Sequence, residues 1–242
     1  MWKQQPAVGD DGTGGTMHIE PGVVHGAKMA LAYATAAGGL TFTAKLAMDE
    51  IRARGLAPLI TRGVIATLAV IFFFEILPKF PVGISEVHFI LGTTILLLLG
   101  TAPAAIGLAT GLLMQGLFMA PTDMPMYFVN VTTLLVPLFV IAELAKRIIA
   151  PNTAYVDLAY VDALKLSAAY QGGVIAWVAF WALYGQGFGA ENLAAIASFG
   201  AAYALVIIIE PIADLAILAG AKASRGFLQN DHLTTPRLHA AA

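Results

Sequence analysis

Ile60-Thr61-Arg62-Gly63-Val64-Ile65-Ala66-Thr67-Leu68-Ala69-Val70-Ile71-Phe72-Phe73-Phe74-Glu75-Ile76-Leu77 is the stretch on which the fold turns. A helix of this length rises about 27 Å, close to the hydrocarbon thickness of a bilayer. Its charges, Arg62 and Glu75, stand near its two ends. Pro78-Lys79-Phe80-Pro81 then forms a rigid break. The same pattern fills the chain. Of 242 residues, 59% are hydrophobic and 12% charged, about half the charge of a soluble domain.

Working outward, Gly26 to Met48 is a first span rich in Ala and Gly, which suits close helix packing in lipid. Asp49 to Pro58 is a charged loop. After the second span, Glu86-Val87-His88 opens a third that runs to Leu99. Ala104–Phe118, Tyr127–Leu144, Leu166–Leu183 and Leu193–Leu218 follow, the last interrupted at Glu210-Pro211. Residues 150–164 suit a short interfacial helix, with Tyr155 and Tyr160 at headgroup depth. The expected fold is therefore an all-α integral membrane bundle of about seven transmembrane helices. One domain covers residues 17–222. A flexible extension (1–16) precedes it and a polar tail (223–242) follows.

Basic residues orient the bundle. With the N-terminus outside and the C-terminus cytoplasmic, ten Lys and Arg residues fall inside and three, Lys3, Lys28 and Lys79, outside. This arrangement gathers His18, His25 and His88 on the outer face, with Asp123, Met119, Met124 and Met126. Intramembrane Glu210, beside Pro211, is a costly polar group whose expected roles are to pair with Lys165, cap a kink or contact a partner subunit.

The remaining composition excludes several function classes. A net charge of −2 gives no basic surface for nucleic acid. With no cysteine, thiolate metal sites and thiol catalysis are absent. No G-x-x-x-x-G-K-[ST] loop is present, so the chain does not drive itself with ATP through that motif. No Ser/His/Asp set marks an enzyme or calls for a catalytic cofactor.

Against this apolar background Met17-His18-Ile19-Glu20-Pro21-Gly22 is a mixed polar hexapeptide at the entrance to the first span. In a chain beginning at Met17, the terminal amine, the His18 amide nitrogen and the His18 imidazole can wrap one divalent cation. Nitrogen donors in a near-planar array suit nickel or copper, and less strictly cobalt. The plainer reading is a helix-entry turn punctuated by Pro21-Gly22. His88 lies 70 residues on, at the same depth, and closes the array if the first and third spans are neighbours. Because cation binding displaces protons, affinity is expected to fall as pH drops through the histidine range.

Met17-His18-Ile19-x-x-Gly22 resembles the N-terminal M-H-I-x-x-G of the CbiM/NikM family, the substrate-binding membrane subunits of cobalt and nickel energy-coupling-factor transporters. Gly83 with Ser85-Glu86-Val87-His88 resembles that family's internal G-x-S-x-H. Gln115-Gly116-Leu117-Phe118, with Asn130 fifteen residues after Gln115, resembles its Q-x-L-x-F…N pattern. The resemblance implies metal donors at Met17, His18 and His88, and Ni2+ or Co2+ as transported substrate. It also implies a bacterial inner-membrane location and three kinds of partner: a transmembrane coupling subunit, cytoplasmic ATPase subunits and a small accessory membrane subunit. Three features depart from the family pattern: the sixteen residues ahead of Met17, Met119-Ala120-Pro121-Thr122-Asp123 in place of an acidic-glycine turn, and Glu20-Pro21 in place of the commoner ordering of those two positions. The first of these supports an alternative, a structural subunit of a larger membrane complex built on the same fold.

Overall fold

A computed structural model describes residues 18–151, 153–224 and 232–235. Met17, the 1–16 extension, and residues 225–231 and 236–242 of the tail lie outside the described residues. Among the described residues there are seven α-helices: α1 (Met29–Arg54), α2 (Leu56–Glu75), α3 (Gly92–Leu99), α4 (Thr101–Phe118), α5 (Tyr127–Ile148), α6 (Tyr160–Gln186) and α7 (Ala190–Ala223). Between α2 and α3 stands a two-stranded antiparallel hairpin, β1 (Lys79–Val82) and β2 (Ser85–His88), paired from Lys79–His88 to Val82–Ser85. Five helices, α2, α4, α5, α6 and α7, are long and apolar enough to cross a membrane. The chain is an all-α integral membrane protein apart from that hairpin.

The helices pack α2 on α4, α4 on α5, α5 on α6 and α6 on α7, with α1 against α4 and α5. The α2–α4 contact depends on glycine. A Cβ on Gly107 would lie 2.3 Å from the Ala66 Cβ, and one on Gly111 would lie 2.6 Å from Val70 Cγ1. Small residues let two backbones approach where lipid supplies no hydrophobic drive between helices. On the opposite side of α2, Ile60, Val64, Leu68, Phe72 and Ile76 recur every four residues and are exposed. This is the spacing of a single helix face, apolar because it meets lipid.

The third passage differs from the sequence expectation. Glu86-Val87-His88 does not open a helix; it is strand β2, and α3 has only eight residues. Phe74, at one end of α2, touches His88. Arg62, near the other end of α2, donates to the Leu99 carbonyl at 3.0 Å. Residues 85–99 thus run the length of α2 as an extended segment followed by a half-helix. Non-helical backbone at this depth persists only where protein satisfies its polar groups. Glu210 supplies that service: Oε2 accepts the Ile90 N–H at 2.8 Å and Oε1 the Leu91 N–H at 2.9 Å. Leu91 itself sits at φ 52° and turns the chain into α3.

Other boundaries shift as well. The expected loop at Asp49–Pro58 reduces to Gly55, whose φ of 88° breaks α1 from α2. The expected interfacial helix is a 3-10 turn at Tyr155–Asp157, after which α6 starts at Tyr160. Helix α7 runs uninterrupted through Pro211. Lys165 pairs with Asp162 at 3.0 Å rather than with Glu210.

Candidate metal centre

The entering chain is threaded into one end of the bundle. Ile19 is buried and its N–H donates to Asn130 Oδ1 at 3.2 Å; the Glu20 N–H donates to the Ile84 carbonyl at 3.2 Å. Gly185 of α6 makes room, because a Cβ there would stand 1.9 Å from the Val23 carbonyl oxygen. These bonds fix His18 beside the hairpin that carries His88. The two imidazole centroids are 5.2 Å apart, and both rings meet the edge of Phe74, at 5.3 Å and 4.6 Å. His18 and His88 are 8% and 6% exposed, so the pair is enclosed.

The surrounding network sets which nitrogen is free. Gln115 Nε2 donates to Glu75 Oε1 at 2.9 Å, and Glu75 Oε2 accepts Lys79 Nζ at 3.1 Å. A carboxylate only accepts, so Gln115 must present its amide oxygen to His18, 2.8 Å from Nε2. His18 therefore carries its proton on Nε2, and Nδ1 keeps the lone pair. The Nδ1 of His88 faces the Phe89 carbonyl at 3.2 Å and donates to it, leaving Nε2 as the electron-pair donor. A fixed tautomer set by an outer hydrogen bond is the usual support of a metal-binding imidazole.

Burial also holds both rings neutral. It pushes His18 down to about 3, aided by the His88 ring and opposed by the Gln115 hydrogen bond. It lowers His88 to about 4, opposed by the hydrogen bond to Phe89. Both values lie below the ordinary histidine value of 6.5.

Of the other sequence candidates, His25 is exposed and its Nδ1 meets only the Gly22 carbonyl, at 3.0 Å. Met119 is exposed, Met126 is core, and Met124 lines a small cavity with His18, Gln115 and Asp123. Met17 lies outside the described residues. Sequence reasoning assigned no role to Phe74, Glu75 or Glu86. Glu86 is buried and lines a second small cavity together with both histidines. Burial raises its carboxyl to about 7; Lys79 opposes the shift, while Asp123 and Glu75 add to it. A signal was available: between Ser85 and His88 stand two residues, one more than G-x-S-x-H allows, and Glu86 takes the place two before the histidine. Among the described residues, no three His, Asp or Glu side chains already stand in metal-binding geometry.

Two imidazoles with oriented lone pairs thus stand buried side by side at one end of a membrane bundle. A family model described as the cobalt uptake substrate-specific transmembrane region, CbiM, matches residues 18–226. The chain belongs to this family and is a transmembrane component of cobalt uptake. No curated protein and no solved structure matches it.

Proposed function

We propose that the chain is the substrate-capturing component of an ATP-driven importer for cobalt or nickel, taking the cation at the outer face of a bacterial cytoplasmic membrane. The observation that carries this is the His18–His88 pair, two buried neutral imidazoles with free nitrogens lining one cavity. In a chain starting at Met17, its amine and the His18 amide nitrogen join His18 Nδ1, which closes a six-membered chelate ring with its own backbone nitrogen. His88 Nε2 supplies the fourth donor. Such an array discriminates by geometry and suits nickel, with cobalt next. Gln115 and Asn130 act as positioning residues: one sets the His18 tautomer, and the other anchors the backbone beside it.

The driving energy comes from outside the chain, from cytoplasmic ATPase subunits reached through a transmembrane coupling subunit, with a small accessory membrane subunit alongside. The exposed apolar faces of α2 and α7 meet lipid or those partners. Calorimetric titration with nickel and cobalt tests the reading. A chain starting at Met17 should bind one equivalent. His18→Ala and His88→Ala should each abolish binding, and His25→Ala should leave most of it. The 242-residue chain should bind more weakly, since its first amine lies sixteen residues away. Absence of binding in both forms would favour the structural-subunit alternative.

A further inference from the structure

Two neutral imidazoles leave a bound divalent cation with its full charge, and burying that charge without a counter-charge is costly. In the 242-residue chain, the His18 amide is an internal peptide nitrogen that keeps its proton near neutral pH, so it offers none. The compensating charge must come from a side chain at the cavity.

Glu86 meets that need on three independent counts. It shares one face of strand β2 with His88, two residues on, because side chains alternate along a strand. It lines the cavity that His18, Ser85, His88, Asn130 and Tyr203 also line. Although only 4% exposed, its Oε2 has no hydrogen-bond partner among the described residues. A buried carboxylate oxygen is nearly always bonded, so this one calls for an explanation. Glu75 is held by Lys79 and Gln115, and Asp123 lines the other cavity.

We propose that Glu86 is the charge partner of the transported divalent cation, so that two imidazoles and one carboxylate receive the metal even where no terminal amine stands beside His18. This rests on the transport reading above. Glu86 acts across the cavity rather than as a preformed ligand, since the three side chains do not yet stand in ligand geometry.

The test is cobalt(II) titration of the purified, chelator-stripped 242-residue protein in detergent, followed by calorimetry and by the visible absorption of the bound cobalt. Wild type should bind one equivalent. Glu86→Gln removes the charge at constant volume and should weaken binding about 10-fold or more, with the melting temperature unchanged. Glu86→Ser should weaken it likewise, and Glu86→Asp should recover most of the affinity. Wild-type affinity in either folded neutral variant overturns the proposal, as does failure of Glu86→Asp to bind better than Glu86→Gln. If the chain starting at Met17 binds cobalt and the 242-residue wild type does not, the Glu86 inference falls while the transport reading stands. If neither binds, both fall.

Discussion

Gln115 shows how much one side chain decides. Its amide is locked by Glu75 on one side, and only that lock makes His18 keep its proton on Nε2. Gln115→Leu should therefore release the His18 ring and cost 10–100-fold in nickel or cobalt affinity without loss of fold, as titration beside a melting curve would register. The histidines also make a pH prediction. Their folded values of about 3 and 4 lie below the unfolded 6.5, so below pH 6.5 the unfolded chain binds more protons than the folded one. Metal-free stability should fall as pH drops from about 6.5 toward 4. Glu86 works in the opposite sense, since its folded value of about 7 lies above the unfolded 4.5. It gives back part of that loss between pH 7 and 4.5. Melting of the chelator-treated protein across this range should therefore show a decline, and Glu86→Gln should steepen it. A flat wild-type profile would mean the rings are solvated.

At the scale of elements, the segment after β2 is the least regular part of the bundle and the part that holds His88. It is strapped to α7 by Glu210, whose two oxygens take the Ile90 and Leu91 amides. Glu210 is itself held by Gln171 of α6, and Gln171 accepts a hydrogen bond from the Tyr203 hydroxyl at 3.0 Å. Three donors, the Ile90 and Leu91 amides and the Gln171 side chain, thus converge on one carboxylate that is fully buried. Glu210→Leu strands three buried donors, the Ile90 and Leu91 amides and the Gln171 side chain, at about 1–3 kcal/mol each. Glu210→Gln keeps one acceptor oxygen. Folded yield and melting temperature should rank wild type, then Gln, then Leu. Equal values for Gln and Leu would show that water, not Glu210, satisfies Ile90 and Leu91.

Across the whole molecule, the two ends differ in chemistry. One end gathers His18, the hairpin, Glu75, Gln115 and Asp123. At the other, Arg62 is fully buried, paired with Glu50 and bonded to the Leu99 carbonyl, and the Thr235 N–H docks on the Leu98 carbonyl at 2.8 Å. The distribution of Lys and Arg predicts that the histidine end faces outward. The chain lacks cysteine, so single cysteines report cleanly. Glu191→Cys should label with an impermeant maleimide from outside intact cells, and Arg52→Cys only after the membrane is opened. Labelling of both from one side would place the histidines away from the incoming cation.

The sequence by itself determined what composition and period can encode. Apolar runs near bilayer length fixed an α-helical membrane bundle, because a backbone in lipid must satisfy itself. The hexapeptide at Met17–Gly22 and the solitary His88 marked the candidate donors, since polar residues are conspicuous in an apolar chain. The turn at 79–91 was illegible: Glu86-Val87-His88-Phe89-Ile90-Leu91 reads as the start of a helix by hydropathy, and its strand conformation is imposed by β1 and by Glu210, 120 residues away. Tautomer, burial and the unpartnered oxygen of Glu86 belong to the same class. Each depends on groups far apart in sequence, such as His18 and Gln115, which are 97 residues apart and 2.8 Å distant. Such contacts leave no local pattern, and only the packed bundle decides them.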